Sequence, residues 1–327
     1  MTTQLSRRSL LALGAGLGAA FGASTMLSGG ALAKAPKLNT QTPYWHRFVV
    51  GDAEVTVVSD GPLPLGDPSG TFTGVPKEEV KKMLVDNFMN PDNVVLEQNS
   101  PVVNIGDKLV LFDTGMGTSK MFGPTTGQQQ KNLAASGIKA ADIDAVVCTH
   151  AHIDHIGGLV GADDKPLFPN AQVYIAQADY DFWIDEGKLG SPLKDFVLHA
   201  RKNLLPVKDR LVFIKDGQEF LPGIQAIAAP GHTVGHTIFM VTSKGKSFAF
   251  LGDLTHHSVL LMEKPRMEFS YDTDPKQSAA TRVKLLDMLA AQKIPVMAYH
   301  FAWPGYGHVA KAGDGFRYYP EPMNMQL

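Results

Sequence analysis

The chain of 327 residues contains a single cysteine, so no internal disulfide can form in whatever compartment it works. Charge is nearly balanced, with 30 Lys+Arg against 32 Asp+Glu and a formal net of −2, which leaves no basic footprint for nucleic acid. Low-complexity tracts and linkers are missing. With 44% hydrophobic and 19% charged residues, wholesale disorder, collagen-like repeats and a disulfide-stapled scaffold are excluded. Beyond the N-terminus no apolar run is long enough to span a bilayer.

The N-terminus reads as an address. Ser6-Arg7-Arg8-Ser9-Leu10-Leu11 is a twin-arginine region, a Gly/Ala/Leu stretch follows to Leu27, and Ala31-Leu32-Ala33 is a small-x-small cleavage site. Residues 1–33 are therefore expected to be a Tat-type signal peptide cleaved after Ala33, delivering residues 34–327 as one domain to the periplasm or beyond. A membrane anchor is the competing reading. The stretch is glycine-rich, only weakly apolar and ends in a cleavage site, so no stable anchor is expected. Cleavage removes Arg7 and Arg8 and no acids, leaving 28 Lys+Arg against 32 Asp+Glu, a net of −4.

Short strands and amphipathic helices fill the rest. Residues 47–60 read as a hairpin turning at Gly51-Asp52, and residues 101–113 as a second turning at Gly106-Asp107. The pattern becomes helical from Lys131. A β-branched strand over 144–149 then delivers His150 at its C-terminal end. Strands are predicted over 172–176, 211–215, 224–229, 239–241 and 248–251, with mostly helix over 177–204. A helix over 277–292 precedes a last strand, 295–299, ending at His300. Strands in each half with helices between them predict an α/β (α+β) fold of sheets packed face to face, helices outside.

Histidine is the residue type that stands out. His150-Ala151-His152-Ile153-Asp154-His155 places four ligand-capable side chains within six residues, in a turn after a strand. They can converge on one point only if a cation offsets their crowding and desolvation. The competing reading, a solvated histidine-rich turn, loses ground because His232, Asp253 and His300 each follow a later apolar strand. Seven such side chains are too many for one tetrahedral ion, and they suit two ions about 3.5 to 4 Å apart with a bridging carboxylate. Imidazoles and carboxylates without thiolates favour Zn²⁺, with Mn²⁺, Co²⁺ or Fe²⁺ as alternatives.

His150, His152, Asp154 and His155 match the HxHxDH signature of the metallo-β-lactamase superfamily, which the chain resembles over most of its mature length, from the Phe112-Asp113-Thr114-Gly115 motif to His300. The resemblance implies an αβ/βα sandwich of two mixed β-sheets flanked by helices. It also implies a first metal held by His150, His152 and His232, a second held by Asp154, His155 and His300, and Asp253 bridging them. Cys148 lies inside the strand before the motif, so the zinc β-lactamases with a cysteine ligand are disfavoured. His152 stands where the superfamily's diiron flavoproteins carry Glu. Phe122-Gly123-Pro124-Thr125, Asp181-Phe182-Trp183 and the segment from His300 to His308 resemble the methyl parathion hydrolase group, close to the N-acyl-homoserine lactonases.

The expected activity is a binuclear hydrolysis of a lactone, ester or phosphotriester. Two ions sharing a water lower its pKa towards about 7, and the bridging hydroxide attacks a carbonyl or phosphoryl centre polarised by a metal. Asp154 and Asp253 are the candidate catalytic carboxylates, with Asp154 able to pass a proton to the leaving group. Asp113 resembles the family's buried aspartate that orients a ligating imidazole, and His236 is either a second such support or a packing residue. His256 and His257 are placed beside the ligands or along the pocket rather than on the metal. Phe122, Trp183, Phe196, Phe301 and Trp303 are the candidate pocket aromatics, with Phe122 and Trp183 favoured because both lie in segments that match the subgroup's. The alternatives are a mononuclear iron sulfur dioxygenase, against which His300 counts, a zinc β-lactamase, and a non-catalytic zinc protein. A small-molecule partner is expected, and a homodimer is left open.

Overall fold

Runs of β-branched and aromatic residues pair the chain into two large sheets, one from each half. The computed structural model describes residues 37–324, so the predicted signal peptide and its cleavage site lie outside the described residues. Residues 37–41 have no regular secondary structure, and a single unit begins at Thr42.

The first half holds strands β1 (Trp45–Val50), β2 (Ala53–Ser59), β3 (Leu63–Gly66) and β4 (Phe72–Thr73), then helix α1 (Lys77–Asp86). Strands β5 (Val94–Leu96), β6 (Asn99–Asn104) and β7 (Leu109–Phe112) follow, then α2 (Gln129–Ala135), β8 (Ala145–Val147) and the short α3 (Ile153–Ile156). Strand β9 (Gln172–Ala176), helices α4 (Gln177–Ile184) and α5 (Lys194–Leu204) and strand β10 (Leu211–Ile214) end this half. The second half runs β11 (Glu219–Leu221), β12 (Ile224–Ala228), β13 (Thr237–Ser243), β14 (Lys246–Phe250) and α6 (Leu260–Glu263). It continues with β15 (Glu268–Phe269), α7 (Pro275–Gln292), β16 (Val296–Met297), β17 (Tyr306–Ala312) and β18 (Gly315–Pro320).

The first sheet has the seven-strand order β1-β2-β6-β7-β8-β9-β10, and its β7, β8, β9 and β10 are parallel. The second has the order β11-β12-β13-β14-β16-β17-β18, with β14 and β16 parallel. Because β12, β13 and β14 pair antiparallel in succession, β12 runs the same way as β14 and β16. These directions decide where chemistry can be assembled. The C-terminal ends of β12, β14 and β16 lead to His232, Asp253 and His300 at one edge, while those of β7 and β8 lead to Asp113 and His150.

One buried cluster lies between the sheets, where Phe112 meets Phe239 and Phe250 at ring distances of 5.5 and 5.4 Å. A second packs α4 and α5 on the first sheet, and a third packs α7 on the second. A fourth is separate from the sandwich: β3, β4, α1, β5, α6 and β15 bury Leu63, Phe72, Leu84, Leu96, Leu260 and Phe269 together. The layered αβ/βα architecture is as the sequence predicted. Two details differ. Helix α7 begins at Pro275 rather than 277, because Asp274 accepts a hydrogen bond from Gln277 N at 3.0 Å as N-cap and Pro275 suits the first helical position. The strand predicted over 295–299 is not the last, since the β17–β18 hairpin follows and adds itself to the sheet edge beside β16. Among the described residues no helix is long and apolar enough to cross a membrane.

Arg282 of α7 is fully buried and donates to Leu254 O, Pro265 O, Met267 O and Ser278 Oγ at 2.8 to 3.1 Å. Its guanidinium ties the loops on both sides of α6 to the helix. Arg282→Met is expected to cost about 3 to 5 kcal/mol, since it orphans three carbonyls and the neighbouring Asp272 carboxylate; urea unfolding of both proteins at one pH measures the loss.

Candidate metal centre

The strand ends bring the seven predicted ligands together in two groups. Ligand atoms of His150, His152, His232 and Asp253 lie within 4.8 Å of one another, as do those of Asp154, His155 and His300. Asp253 faces both. Its Oδ2 is 3.0 Å from His232 Nε2 and 3.7 Å from His150 Nε2, while its Oδ1 is 3.2 Å from His155 Nε2 and 3.3 Å from His300 Nε2. Asp154 Oδ2 sits 3.4 Å from both His155 Nε2 and His300 Nε2.

These distances are not those of a satisfied hydrogen-bond network. His155 Nε2 and Asp253 Oδ1 are buried and close, yet neither makes a hydrogen bond, as expected of two groups aimed at a common third point. His150 Nε2 and His232 Nε2 face each other at 3.1 Å, where at most one can carry a proton. The donor set is that of a divalent metal site, with nitrogen and oxygen ligands and no sulfur.

Electrostatics point the same way. Burial, reinforced by neighbouring histidines, holds His150 and His152 well below the usual imidazole range. Burial would do the same to His232 and His300, but Asp253 beside them raises both to about 9, and Asp253, Asp154 and Asp113 push His155 well up. Asp154 and Asp253 are in turn held far below the carboxylate range by the surrounding histidines, against the effect of burial. Two buried carboxylates thus require positive charge, which protons or bound metal supply in competition.

Four of the five histidines are supported from behind. Asp113, at φ +55 directly after β7, accepts from Thr149 N at 2.8 Å and pairs its Oδ2 with His155 Nδ1 at 2.8 Å. Asp272 Oδ1 holds His232 Nδ1 at 2.8 Å, Glu97 O holds His300 Nδ1 at 2.8 Å, and Thr149 Oγ1 lies 3.0 Å from His150 Nδ1. His236 does not touch the ligand side chains by hydrogen bond. It accepts from Asp253 N at 3.0 Å through Nε2 while Nδ1 faces Ala229 O at 3.1 Å, and burial holds it neutral, at about 3. Its part is to seat the Asp253 backbone.

The sequence profile of the Metallo-beta-lactamase superfamily matches residues 94–293. The chain belongs to the metallo-beta-lactamase superfamily. Within it, the chain is similar to AidC, a dizinc quorum-quenching lactonase, with a TM-score of 0.80, 30% identity and coverage of 85% of this chain and 98% of that one. It is also similar to the hydrolase AbOPH, with a TM-score of 0.81, 28% identity and coverage of 87% and 100%. An N-acyl homoserine lactonase of Bacillus cereus is 22% identical over 189 residues, 58% of this chain and 65% of that relative. Curated relatives that the chain matches are spanned for 22% to 70% of their length.

In this superfamily member a cleft opens beside the ligands, with His152, Asp154, His232, Asp253 and His300 among its lining. Phe122 and Phe196 line it. Trp183, Phe301 and Trp303 do not. Trp183 is buried in the core of the first sheet's helical layer, packed edge-on to His152 at 5.0 Å, so it backs a ligand instead of meeting the cleft. Phe301 is buried against Tyr318 under α7, and Trp303 packs on the core between the sheets near Tyr44. The remaining walls, Leu63, Leu65, Leu96, Phe269 and Tyr271, were not foreseen, and neither was Asp272. His256 lines the cleft beside the ligands as expected, its Nε2 3.0 Å from Asp253 Oδ2 and its ring stacked on Phe269 at 3.8 Å.

Asp272→Asn is expected to weaken one bound ion about 10- to 100-fold, as loss of an imidazole-orienting carboxylate does; zinc competition against a chromophoric chelator measures it. His257 gives a stability prediction. Burial lowers its pKa from 6.5 to about 4, and Nδ1 accepts from Val259 N and Leu260 N. As the folded-state pKa is depressed, its contribution is complete above 6.5 and disappears as pH falls to 4, a loss of about 3 kcal/mol. Urea unfolding across that interval should show a slope one proton shallower for His257→Asn than for the parent.

Proposed function

We propose that this protein is a binuclear metal-dependent hydrolase acting on uncharged lactones, esters or phosphotriesters with apolar substituents. The observation that carries this is Asp253, whose two carboxylate oxygens face different ligand groups, Oδ2 towards His232 and Oδ1 towards His155 and His300. In this reading His150, His152 and His232 hold one ion, Asp154, His155 and His300 the other, and Zn²⁺ fits the donors best. The ions, when bound, lower the pKa of a shared water towards about 7 and polarise the electrophile's oxygen.

The chain's own residues do the rest. Asp154 lies in the cleft floor with Oδ2 directed at His155 and His300, so its carboxylate is placed to take the water's proton and hand it to the leaving group. Leu63, Leu65, Leu96, Phe122, Phe196 and Phe269 hold the apolar substituent and exclude water. No Lys or Arg is among the described lining residues, so a β-lactam carboxylate finds no lysine or arginine partner there. The likeness to a dizinc lactonase at 30% identity supports a lactone as one member of the substrate class. Export by the twin-arginine segment would place this hydrolysis in the periplasm.

Metal analysis by mass spectrometry is expected to find two divalent ions per chain, and a panel of acyl-homoserine lactones, aryl esters, methyl parathion and nitrocefin should show turnover of the neutral compounds only. Asp253→Ala should lose activity on the order of a thousandfold or more. One ion per chain, or nitrocefin as the preferred compound, refutes the reading.

A further inference from the structure

Asp179 is a carboxylate with no solvent exposure in the first turn of α4, and it belongs to neither ligand group. Its two oxygens are taken by amides of two different ligand turns. Oδ2 accepts from Ala151 N at 2.6 Å, between His150 and His152, and Oδ1 accepts from Gly235 N at 2.9 Å, in the turn that carries His232. Gly235 comes so close that a Cβ there would lie 2.6 Å from Asp179 N and 2.8 Å from Asp179 Cβ, so no side chain fits. We propose that Asp179 is a positioning residue that clamps the two histidine turns together and thereby sets the affinity of the ion held by His150, His152 and His232.

Those three histidines come from two chain segments far apart in sequence, and their convergence needs a fixed separation between the turns. One two-oxygen acceptor provides it, since each amide is held by its own oxygen. The other group is braced independently: His155 by Asp113 at 2.8 Å and His300 by Glu97 O at 2.8 Å. Loss of the clamp should therefore act on one ion and spare the other. Asp179→Asn keeps the shape but turns one acceptor into an NH₂ group facing an amide N–H, which releases one of the two turns.

This rests on the two-ion reading above, and the experiment separates the two claims. Zinc is titrated into metal-free parent and D179N against a chromophoric chelator, with circular dichroism of both metal-free proteins. The parent should bind two ions. D179N should remain folded, bind one ion with parental affinity, and bind the other about 10- to 100-fold more weakly. Equal weakening of both ions, as general loosening would give, overturns the clamp, as does parental affinity for both. If the parent binds a single ion, the binuclear reading falls, and the clamp stands or falls on whether D179N weakens that ion. Should D179N fail to fold, G235A tests the same contact from the other side and should weaken the same ion; failure of both variants to fold marks Asp179 as a fold residue and overturns the proposal.

Discussion

Five imidazoles and two carboxylates converge in a buried space a few ångströms across, and the rest of the molecule is arranged to make that tolerable. Desolvation opposes charge on every one of them, yet the aspartates cannot be left without positive partners. Divalent metal resolves the conflict, because neutral imidazoles and ionised carboxylates are the forms it binds. Asp253 is the pivot, with one oxygen turned to each ligand group. Polar supports surround it: His236 under its backbone amide, Asp113 behind His155, and Asp272 behind His232.

The sheets supply the rigidity that such crowding demands. Strands β12, β14 and β16 run in one direction and carry His232, Asp253 and His300 to one edge, so the ligands inherit the register of a hydrogen-bonded ladder. The first sheet presents Asp113 and His150 from parallel β7 and β8. A hydrogen bond from Thr237 N to Thr149 O at 2.9 Å joins the two halves beside the site. Buried Arg282 performs a similar office behind the second half, binding carbonyls on both sides of α6 and standing 3.7 Å from the Asp272 carboxylate that supports His232.

What could be read in the sequence follows from how local each signal is. His150 to His155 announce themselves because four ligand types crowd six positions, and His232, Asp253 and His300 because each closes an apolar strand. The hairpins at Gly51-Asp52 and Gly106-Asp107 were legible for the same reason. Asp179 and Asp272 were not, since a lone aspartate in a mixed segment looks like any surface acid until the fold buries it against a distant amide or imidazole. The pocket aromatics were half legible. Phe122 and Phe196 face the cleft, but a bulky ring near a ligand in sequence serves equally well as core, as Trp183 and Phe301 do. Within 61–98 the strands are two to four residues long, too short for an alternating pattern to show, and this segment holds three of the cleft's walls.

That segment separates two kinds of change. The ligands stand on strand ends of the large sheets, whereas Leu63, Leu65, Leu96, Phe269 and Tyr271 come from the small peripheral core of β3, β5, β15 and their neighbours. Substitutions there reshape the space offered to a substrate without moving a ligand, and substitutions at the strand ends alter the reaction centre without reshaping that space. A lineage carrying this architecture can remodel the space beside the ligands by small steps in a thin peripheral layer, while the ligand set is inherited unchanged.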